Sequence, residues 1–193
     1  MLSDSDRLLS TVEQVLKAGE LGQRESDGMR IRIDLALLTQ ECVAVVRARH
    51  HLAEDAITLQ VEAGGISTVV LGNLEDLRSA ILNVLDNAVK YSHGTPKIVA
   101  RVYVEHDAWV VVGITDHGIG IAPTHQKRIF RRFYRVPSMA VLRAKGTGLG
   151  LFLVRTIARQ HGGDATAYSE GEGRGTTITL QLPRLLESHP SEL

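Results

Sequence analysis

The sequence predicts an α/β fold in which a mixed β-sheet carries its helices on one face. Strand and helix patterns do not alternate strictly, and two β-hairpins are expected, one turned at 105–107 and one at 171–173. A doubly wound parallel sheet would instead need a G-x-G-x-x-G motif directly after its first strand. Here the glycine clusters come late in the chain, at 118–120 and 146–150.

Four segments are expected along the chain. Residues 1–22 carry leucines and valines at helical spacing, which predicts an amphipathic helix, and the polar residues 23–28 predict a linker. The domain itself should occupy 29–183. The tail at 184–193 is expected to fray.

Within the domain, alternation of apolar residues predicts strands and helical periodicity predicts helices. Asp34 should cap the first helix of the domain. The residues expected to point inward from that helix are Leu35, Leu38, Cys42, Val45 and Val46. In chain order the predicted elements are a strand at 29–33, a helix from 34 to about 55, strands at 57–61 and 68–71, a helix at 73–91, strands at 97–104 and 108–115, a short helix from 122, a loop at 136–145, a helix at 148–160 and strands at 165–169 and 176–182.

The composition excludes several classes of protein. Apolar residues make up 44% of the 193 residues, which is ordinary for a folded core. The formal net charge is zero, so no attraction of the whole molecule to nucleic acid is expected. Cys42 is the only cysteine, which excludes an intrachain disulfide and suits the cytoplasm. No apolar run approaches the ~20 residues needed to span a bilayer, and no membrane contact by this chain is expected.

Asn83, Asn87 and Lys90 form a polar stripe on the predicted helix at 73–91, because they are spaced i, i+4 and i+7. A separate apolar stripe should face the core and consists of Leu77, Ile81, Val84, Leu85 and Ala88. The polar stripe must therefore face a cleft or water. An amide oxygen is a suitable ligand for Mg²⁺, and a lysine beside it can pair with phosphate oxygens.

Asp116 follows the predicted strand at 108–115 and begins the motif Asp-x-Gly-x-Gly. A carboxylate at that strand end can accept a hydrogen bond from the exocyclic amine of adenine, which guanine lacks at the same position. Gly118 and Gly120 should allow positive φ and close approach of a ligand to the backbone. Taken alone, the motif would suit a tight turn with a capping aspartate equally well.

Three alternating glycines, Gly146, Gly148 and Gly150, stand at the start of the predicted helix at 148–160. The exposed N–H groups and the positive end of a helix form a phosphate-binding site. This arrangement favours phosphate binding over a merely flexible loop.

Phe130 and Phe133 are spaced i, i+3, which predicts core residues at the base of the loop at 136–145. Arg135 follows and is placed to reach a terminal phosphate. The run from Lys127 to Lys145 contains seven basic residues and no acidic one. Its position between two glycine motifs favours a loop that closes on polyphosphate over a solvated basic loop.

From about Met29 to Leu182 the chain resembles the catalytic ATP-binding domain of a bacterial sensor histidine kinase, in the group that includes DNA gyrase, Hsp90 and MutL. Four motifs in order carry the resemblance: 83–91 matches the N box, 116–120 the first G box, 130–133 the F box and 146–151 the second G box. The resemblance implies a two-layer α/β sandwich of the Bergerat type, with a mixed, mostly antiparallel sheet and a mobile lid over the nucleotide.

The resemblance also implies the cofactors ATP and Mg²⁺. It assigns Asn87 to Mg²⁺ and Asp116 to adenine. It assigns Asn83, Lys90 and Arg135 to the phosphates and gives these three residues the catalytic role in phosphoryl transfer. The remaining residues that it places at the nucleotide are Tyr91, Gly118, Gly120, Lys145, Gly146, Thr147, Gly148, Leu149, Gly150 and Leu151.

The implied activity is that of a protein histidine kinase, with a phosphoacceptor and dimerisation domain and a response regulator receiver domain as partners. Residues 1–22 resemble the second helix of the dimerisation hairpin, and no histidine of the chain stands in a phosphoacceptor motif. The chain is therefore expected to be a fragment of a homodimeric kinase. An amide at position 83, where gyrase-like ATPases have a glutamate, cannot act as a general base. Two alternatives remain open: an ATP-binding regulatory module without phosphotransfer, and a gyrase- or Hsp90-like ATPase.

Overall fold

The computed structural model describes residues 29–138, 141 and 146–186. One-turn 3₁₀ helices lie at Glu54–Ala56 and Arg128–Phe130. The other elements, in chain order, are β1 (Ile31–Asp34), α1 (Leu35–Arg49), β2 (Ile57–Glu62), β3 (Val69–Gly72), α2 (Leu74–Tyr91), β4 (Ile98–Glu105), β5 (Trp109–Asp116), α3 (Pro123–Gln126), α4 (Gly150–Gln160), β6 (Asp164–Tyr168) and β7 (Thr176–Pro183).

The predicted helix at 1–22 and the linker at 23–28 lie outside the described residues, as does most of the loop predicted to form the lid. The prediction that the chain frays directly after Pro183 was wrong for the next two residues. The Arg184 amide donates to the Ala108 carbonyl at 2.8 Å, and the Leu185 amide donates to the Val69 carbonyl at 2.8 Å.

A five-stranded sheet with the order β2-β4-β5-β7-β6 is the main layer of the fold. The β2–β4 pair is parallel and the other three pairs are antiparallel. Both predicted hairpins are present, as β4–β5 and β6–β7. β1 and β3 pair with each other in a separate two-stranded sheet. The mixed, mostly antiparallel sheet predicted from the sequence is confirmed.

The helices cover one face of this sheet. In β4 the alternate residues Ile98, Ala100 and Val102 are buried, whereas Arg101 between them is exposed. The buried face packs in one core with side chains from α1, α2 and α4. Burial of apolar area between these two layers is the main force that holds them together. The fold is therefore the expected two-layer sandwich.

Asp34 caps α1, as predicted. Its Oδ1 accepts hydrogen bonds from the Ala36 amide at 2.9 Å and from the Thr68 hydroxyl at 2.6 Å. The prediction that Val45 points inward was wrong, because its side chain is 41% exposed. Each residue turns about 100° around a helix, so Val45 lies about 60° from Cys42 and about 100° from Val46, at the edge of the buried face.

α2 lies between α1 and α4 and over β5. Its predicted apolar stripe is confirmed, and the buried residues are Leu77, Ala80, Ile81, Val84, Leu85 and Ala88. Asn73 caps the helix by accepting a hydrogen bond from the Asp76 amide at 3.1 Å. Because the core occupies this face, the stripe of Asn83, Asn87 and Lys90 is turned away from it. None of the helices in the described part of the chain is long and apolar enough to cross a membrane.

His161 joins the end of α4 to the start of α2. Its Nδ1 lies 2.7 Å from the Ile157 carbonyl, and its Nε2 lies 3.0 Å from the backbone amide nitrogen of Asn73. A carbonyl only accepts and an amide N–H only donates, so these partners assign the proton to Nδ1 and require a neutral ring. Burial lowers the pKa of His161 below its ordinary value of 6.5. A Cβ at Gly72 would lie 2.7 Å from the ring, so glycine leaves the space that the imidazole fills.

Acidification should destabilise the protein through His161. In the unfolded chain the imidazole binds a proton near its ordinary pKa of 6.5, whereas in the folded chain it does so only at lower pH. Between these two pKa values the unfolded state binds more protons. The free energy of unfolding should therefore fall with falling pH, by up to about 1.4 kcal/mol per pH unit for this group. Urea denaturation across this range measures the effect.

A His161→Gln variant is the matched control, because glutamine can accept from the Asn73 amide and does not titrate. The variant should lose stability less steeply than the wild type below pH 6.5, the ordinary pKa of the ring. Parallel pH profiles for the two proteins would contradict the assignment.

Candidate functional site

A cleft of about 280 Å³ opens between α2, the end of β5 and the start of α4. The predicted site residues that line it are Asn83, Asn87, Lys90, Tyr91, Asp116, Gly120, Arg135, Gly146, Thr147, Gly148, Gly150 and Leu151. Gly118 and Leu149 are not part of the lining, and Lys145 lies outside the described residues. The fold thus brings three of the four sequence motifs, the N box and the two G boxes, to one cavity together with Arg135, which follows the F box.

Asp116 ends β5 and is only 8% exposed. Its Oδ1 accepts a hydrogen bond from the Gly118 amide at 2.8 Å, and the Thr176 amide also donates to the carboxylate. Burial raises the pKa of Asp116, and the two amide hydrogen bonds oppose that rise. A carboxylate oxygen can accept more than one hydrogen bond, so Asp116 can still accept from a ligand in the cleft.

The loop after Asp116 is pressed between backbone segments on both sides. A Cβ at Gly118 would lie 2.0 Å from the Tyr91 carbonyl oxygen, and one at Gly120 would lie 1.9 Å from the Gly171 carbonyl oxygen. Only Gly120 has a positive φ, of 66°. The expectation of positive φ at Gly118 was therefore wrong. Glycine is needed there because the end of α2 comes too close for any side chain.

The turn between β6 and β7 supports this loop from the other side. The Gly173 amide donates to the Ile119 carbonyl at 2.7 Å, and the Gly175 amide donates to the Gly118 carbonyl at 3.2 Å. Thr176, which is 8% exposed, lines the cleft beside Asp116. Reasoning from the sequence missed this turn as part of the site. Its signal was the spacing of Gly171, Gly173 and Gly175 in the second hairpin.

The polar stripe of α2 faces the glycines that precede α4. The Asn83 Nδ2 donates to the Ser79 carbonyl at 2.8 Å. A Cβ at Gly150 would lie 3.0 Å from the Asn83 Oδ1 and 3.7 Å from the Asn87 Nδ2. A Cβ at Gly146 would lie 2.5 Å from the Lys90 Nζ. The two glycines therefore leave the space in which these side chains project into the cleft.

The N-terminus of α4 also opens on the cleft, through Gly150 and Leu151. Leu149 stands at the cap position, and among the described residues no side chain caps the helix. The first amides of a helix have no partner within it, and its N-terminus carries a partial positive charge. With Lys90 opposite, this part of the cleft suits an anionic ligand.

Phe130 is buried, but Phe133 is 66% exposed, so the prediction that both are core residues was wrong. The 3₁₀ helix ends at Phe130, and Arg131 is extended, which breaks the i, i+3 register. The backbone of Phe133 instead packs on Gly148, where a Cβ would lie 2.8 Å from the Phe133 carbonyl carbon. Arg135 lines the cleft, and its guanidinium donates to the Val141 carbonyl.

Residues 72–186 match the family described as histidine kinase-, DNA gyrase B- and HSP90-like ATPase. The sensor-like histidine kinase SenX3 of Mycobacterium tuberculosis is 31% identical over 191 residues, which are 98% of this chain and 45% of SenX3. The sensor protein SrrB of Staphylococcus aureus is 36% identical over 112 residues, which are 58% of this chain and 19% of SrrB. The chain thus spans less than half the length of these curated relatives.

Solved structures with similar folds agree with the sequence relatives. The mycobacterial sensor histidine kinase MprB has a TM-score of 0.67 and 29% identity, over 81% of this chain and 99% of that one. Full-length ShkA in complex with AMPPNP has a TM-score of 0.78 and 26% identity, over 97% of this chain and 38% of that one. These similarities confirm the predicted fold class.

A Gly118→Ala substitution should lower the stability of the domain. The new methyl group would displace the Tyr91 carbonyl or the Asp116 side chain, and overpacking of this kind costs about 1–3 kcal/mol. Gly113→Ala, in the middle of β5, is the matched control, because its Cβ would meet nothing within 4 Å. Urea unfolding of both variants measures the difference. Equal stability of Gly118→Ala and wild type would show that the loop does not need this contact.

Proposed function

The chain belongs to the histidine kinase-, DNA gyrase B- and HSP90-like ATPase family, as a catalytic ATP-binding domain of the sensor histidine kinase type, and we propose that its cleft binds Mg²⁺–ATP and transfers the γ-phosphate to a histidine of a dimerisation domain. The main support for this proposal is that a group suited to the base and a group suited to the phosphates lie at different points along α2. Asp116 lies near Tyr91, whereas Asn83 faces the start of α4. Tyr91 stands eight positions after Asn83, which is about 12 Å along the helix axis.

In the proposed complex the adenine lies at Asp116 and the phosphates run along α2 towards α4. The ionised carboxylate accepts a hydrogen bond from the exocyclic amine of adenine. Lys90 and the amides at the start of α4, including those of Gly150 and Leu151, receive the phosphate oxygens. Tyr91 and Thr176 complete the walls around the base.

Asn87 is the proposed ligand of Mg²⁺. Within the described residues, no group of three or more histidines, cysteines, aspartates or glutamates could hold a metal ion. The donor set of the cleft nevertheless fits Mg²⁺, because this ion takes few protein oxygens and relies on phosphates and waters. An amide oxygen on the polar stripe, beside Gly150, provides such a ligand. When bound, the ion would neutralise part of the charge of the phosphates.

Transfer of the phosphoryl group needs positioning and charge stabilisation more than proton transfer. An imidazole nitrogen of the acceptor histidine forms a bond to the γ-phosphorus, and the bond to the bridging oxygen of ADP breaks with its electron pair. Asn83, Lys90 and Arg135 are the proposed residues that hold the γ-phosphate and ADP during this step.

The carboxylates of the cleft favour transfer over hydrolysis. Among the described lining residues the carboxylates are Asp86 and Asp116. Asp86 is engaged by Arg49 at 2.7 Å and by His50 at 2.9 Å, and Asp116 is held by backbone amides. Asn83 stands where a gyrase-like ATPase would have its general base, and an amide cannot take a proton from water.

The partners of the reaction are proposed to lie outside this chain. SenX3 is named a sensor-like histidine kinase and SrrB a sensor protein, and both extend well beyond the matched region. We expect the acceptor histidine on a dimerisation domain of the parent protein, which would act as a homodimer on the cytoplasmic side of the membrane, where ATP is available. A response regulator receiver domain would then take the phosphoryl group.

Asp116→Asn should weaken ATP binding about ten- to hundredfold, because a buried charged hydrogen bond to the base is lost. Titration calorimetry with ATP and Mg²⁺ measures the change. Asp107→Asn, in the turn at the other end of β5, removes a carboxylate far from the cleft and should leave the affinity unchanged. Unchanged affinity in Asp116→Asn would remove this residue from the site.

The chain alone should not accumulate phosphohistidine from radiolabelled ATP, yet it should label a separately added dimerisation hairpin from its parent. Transfer between separate molecules lacks the high effective concentration of a tethered domain. Labelling should therefore be slow and rise with hairpin concentration. Acid-labile label on this chain alone would reveal an overlooked acceptor.

Two further outcomes of that experiment separate the alternatives. An unlabelled hairpin at every concentration, despite confirmed ATP binding, would favour a regulatory module. Steady-state release of phosphate without any hairpin would favour a gyrase- or Hsp90-like ATPase.

A further inference from the structure

We propose that Ser169 and Gln126 are positioning residues for the loop that carries the base-reading carboxylate, and that they set affinity for the adenine base rather than for the phosphates. The proposal rests on the function proposed above. Neither residue lines the cleft. Both act through Ile121 and the β6–β7 turn.

The Ser169 hydroxyl joins the loop after β5 to the turn between β6 and β7. The residue is 5% exposed. Its Oγ donates to the Gly175 carbonyl at 2.6 Å, and it accepts from the Ile121 amide at 3.0 Å and the Gly171 amide at 3.3 Å. A hydroxyl has one hydrogen and two lone pairs, so this one is fully used.

Gln126 bonds to both sides of the same junction. Its Nε2 donates to the Ser169 carbonyl at 2.6 Å and to the Ile121 carbonyl at 3.2 Å. The residue ends α3, directly before the segment that contains Phe130. The side-chain amide of Gln126 thus links α3, which leads into the F box, to the end of the loop after β5 and to the β6–β7 turn.

The junction fixes Asp116 because the turn is also the neighbour of that carboxylate. Thr176, next to Gly175, donates its amide to the carboxylate. A Cβ at Gly175 would lie 2.0 Å from the Asp116 carbonyl oxygen, so the two backbones are in direct contact. Loss of the Ser169 hydroxyl would free the Gly175 carbonyl, which belongs to the neighbour of Asp116, and the Ile121 amide at the end of the loop that Asp116 begins. The carboxylate would then be held less firmly in the direction of the base.

The expected consequence is a change in base selectivity. Adenine presents an amine to the carboxylate, whereas guanine presents a carbonyl oxygen at the equivalent position. A firmly held Asp116 therefore attracts ATP and disfavours GTP. Apart from Arg135, the proposed contacts to the phosphates come from α2 and α4, and the printed hydrogen bonds of Ser169 and Gln126 go to neither helix. Loosening the junction should lower affinity for ATP and leave the weak affinity for GTP nearly unchanged.

The test compares Mg²⁺-dependent binding of ATP and GTP by competition calorimetry. Ser169→Ala and Gln126→Met should each bind ATP about tenfold more weakly, as expected for loss of a buried hydrogen bond, with GTP affinity within about twofold of wild type. Thr39→Val is the matched control. It removes a fully buried hydroxyl that donates to the Leu35 carbonyl at 2.6 Å on α1, and it should change neither affinity.

Equal losses for ATP and GTP would mean that the two residues only support the fold, and unchanged ATP affinity would mean that they do not position the loop. Either result overturns the proposal. Gln126 is only partly buried, so Gln126→Met decides the matter should Ser169→Ala fail to fold.

A second measurement does not depend on nucleotide binding. The Gly118 amide bonds to the Asp116 carboxylate and not to Ser169. Its hydrogen exchange in the nucleotide-free chain should be faster in Ser169→Ala than in wild type or Thr39→Val. Unchanged exchange would overturn the positioning role. Failure of the wild type to bind ATP would instead overturn the proposed function, and the exchange result would still stand by itself.

Discussion

Much of the fold depends on one buried carboxylate. Among the described residues, no cation lies within hydrogen-bonding distance of it. Burying an ionised group is unfavourable unless hydrogen bonds replace its water, and Asp116 receives them from the amides of Gly118 and Thr176. Backbone amides reach a side chain only if the backbones come close. This proximity requires glycine at 118, 120 and 175. It also requires β7 to lie beside β5. The order of the central strands and the hydrogen bonds that hold the carboxylate therefore depend on each other.

α2 serves the core and the cleft at the same time. Its buried stripe, which includes Leu77 and Leu85, packs on the sheet, and this packing fixes the rotation of the helix about its axis. That rotation aims Asn83 and Lys90 at the glycines before α4. The site residues of this helix therefore need no loop to position them. Their placement is as rigid as the core beneath them, which suits the proposed phosphoryl transfer, a step in which positioning contributes much of the rate.

The sequence predicted those features that depend on short-range periodicity. The two stripes of α2 and the strand before Asp116 follow from residue spacing alone. Phe133 could not be placed in this way, because its exposure depends on where a single 3₁₀ turn ends. Thr176 could not be assigned to the site because its position beside Asp116 depends on the pairing of β5 with β7, which are more than fifty residues apart in the chain. Local patterns identify the elements, and only the fold shows which of them meet.

The strand order has a consequence for how the protein is made. β7 is the last strand of the described chain, yet it lies inside the sheet, between β5 and β6. A nascent chain that has emerged only as far as β6 leaves that position empty, and its Asp116 lacks the neighbouring amide of Thr176. Closing the long loop from β5 to β7 is entropically costly and should come late in folding. A domain truncated before β7 would therefore have the motifs of a nucleotide site without the site, so ATP could not stabilise the domain until β7 had been made.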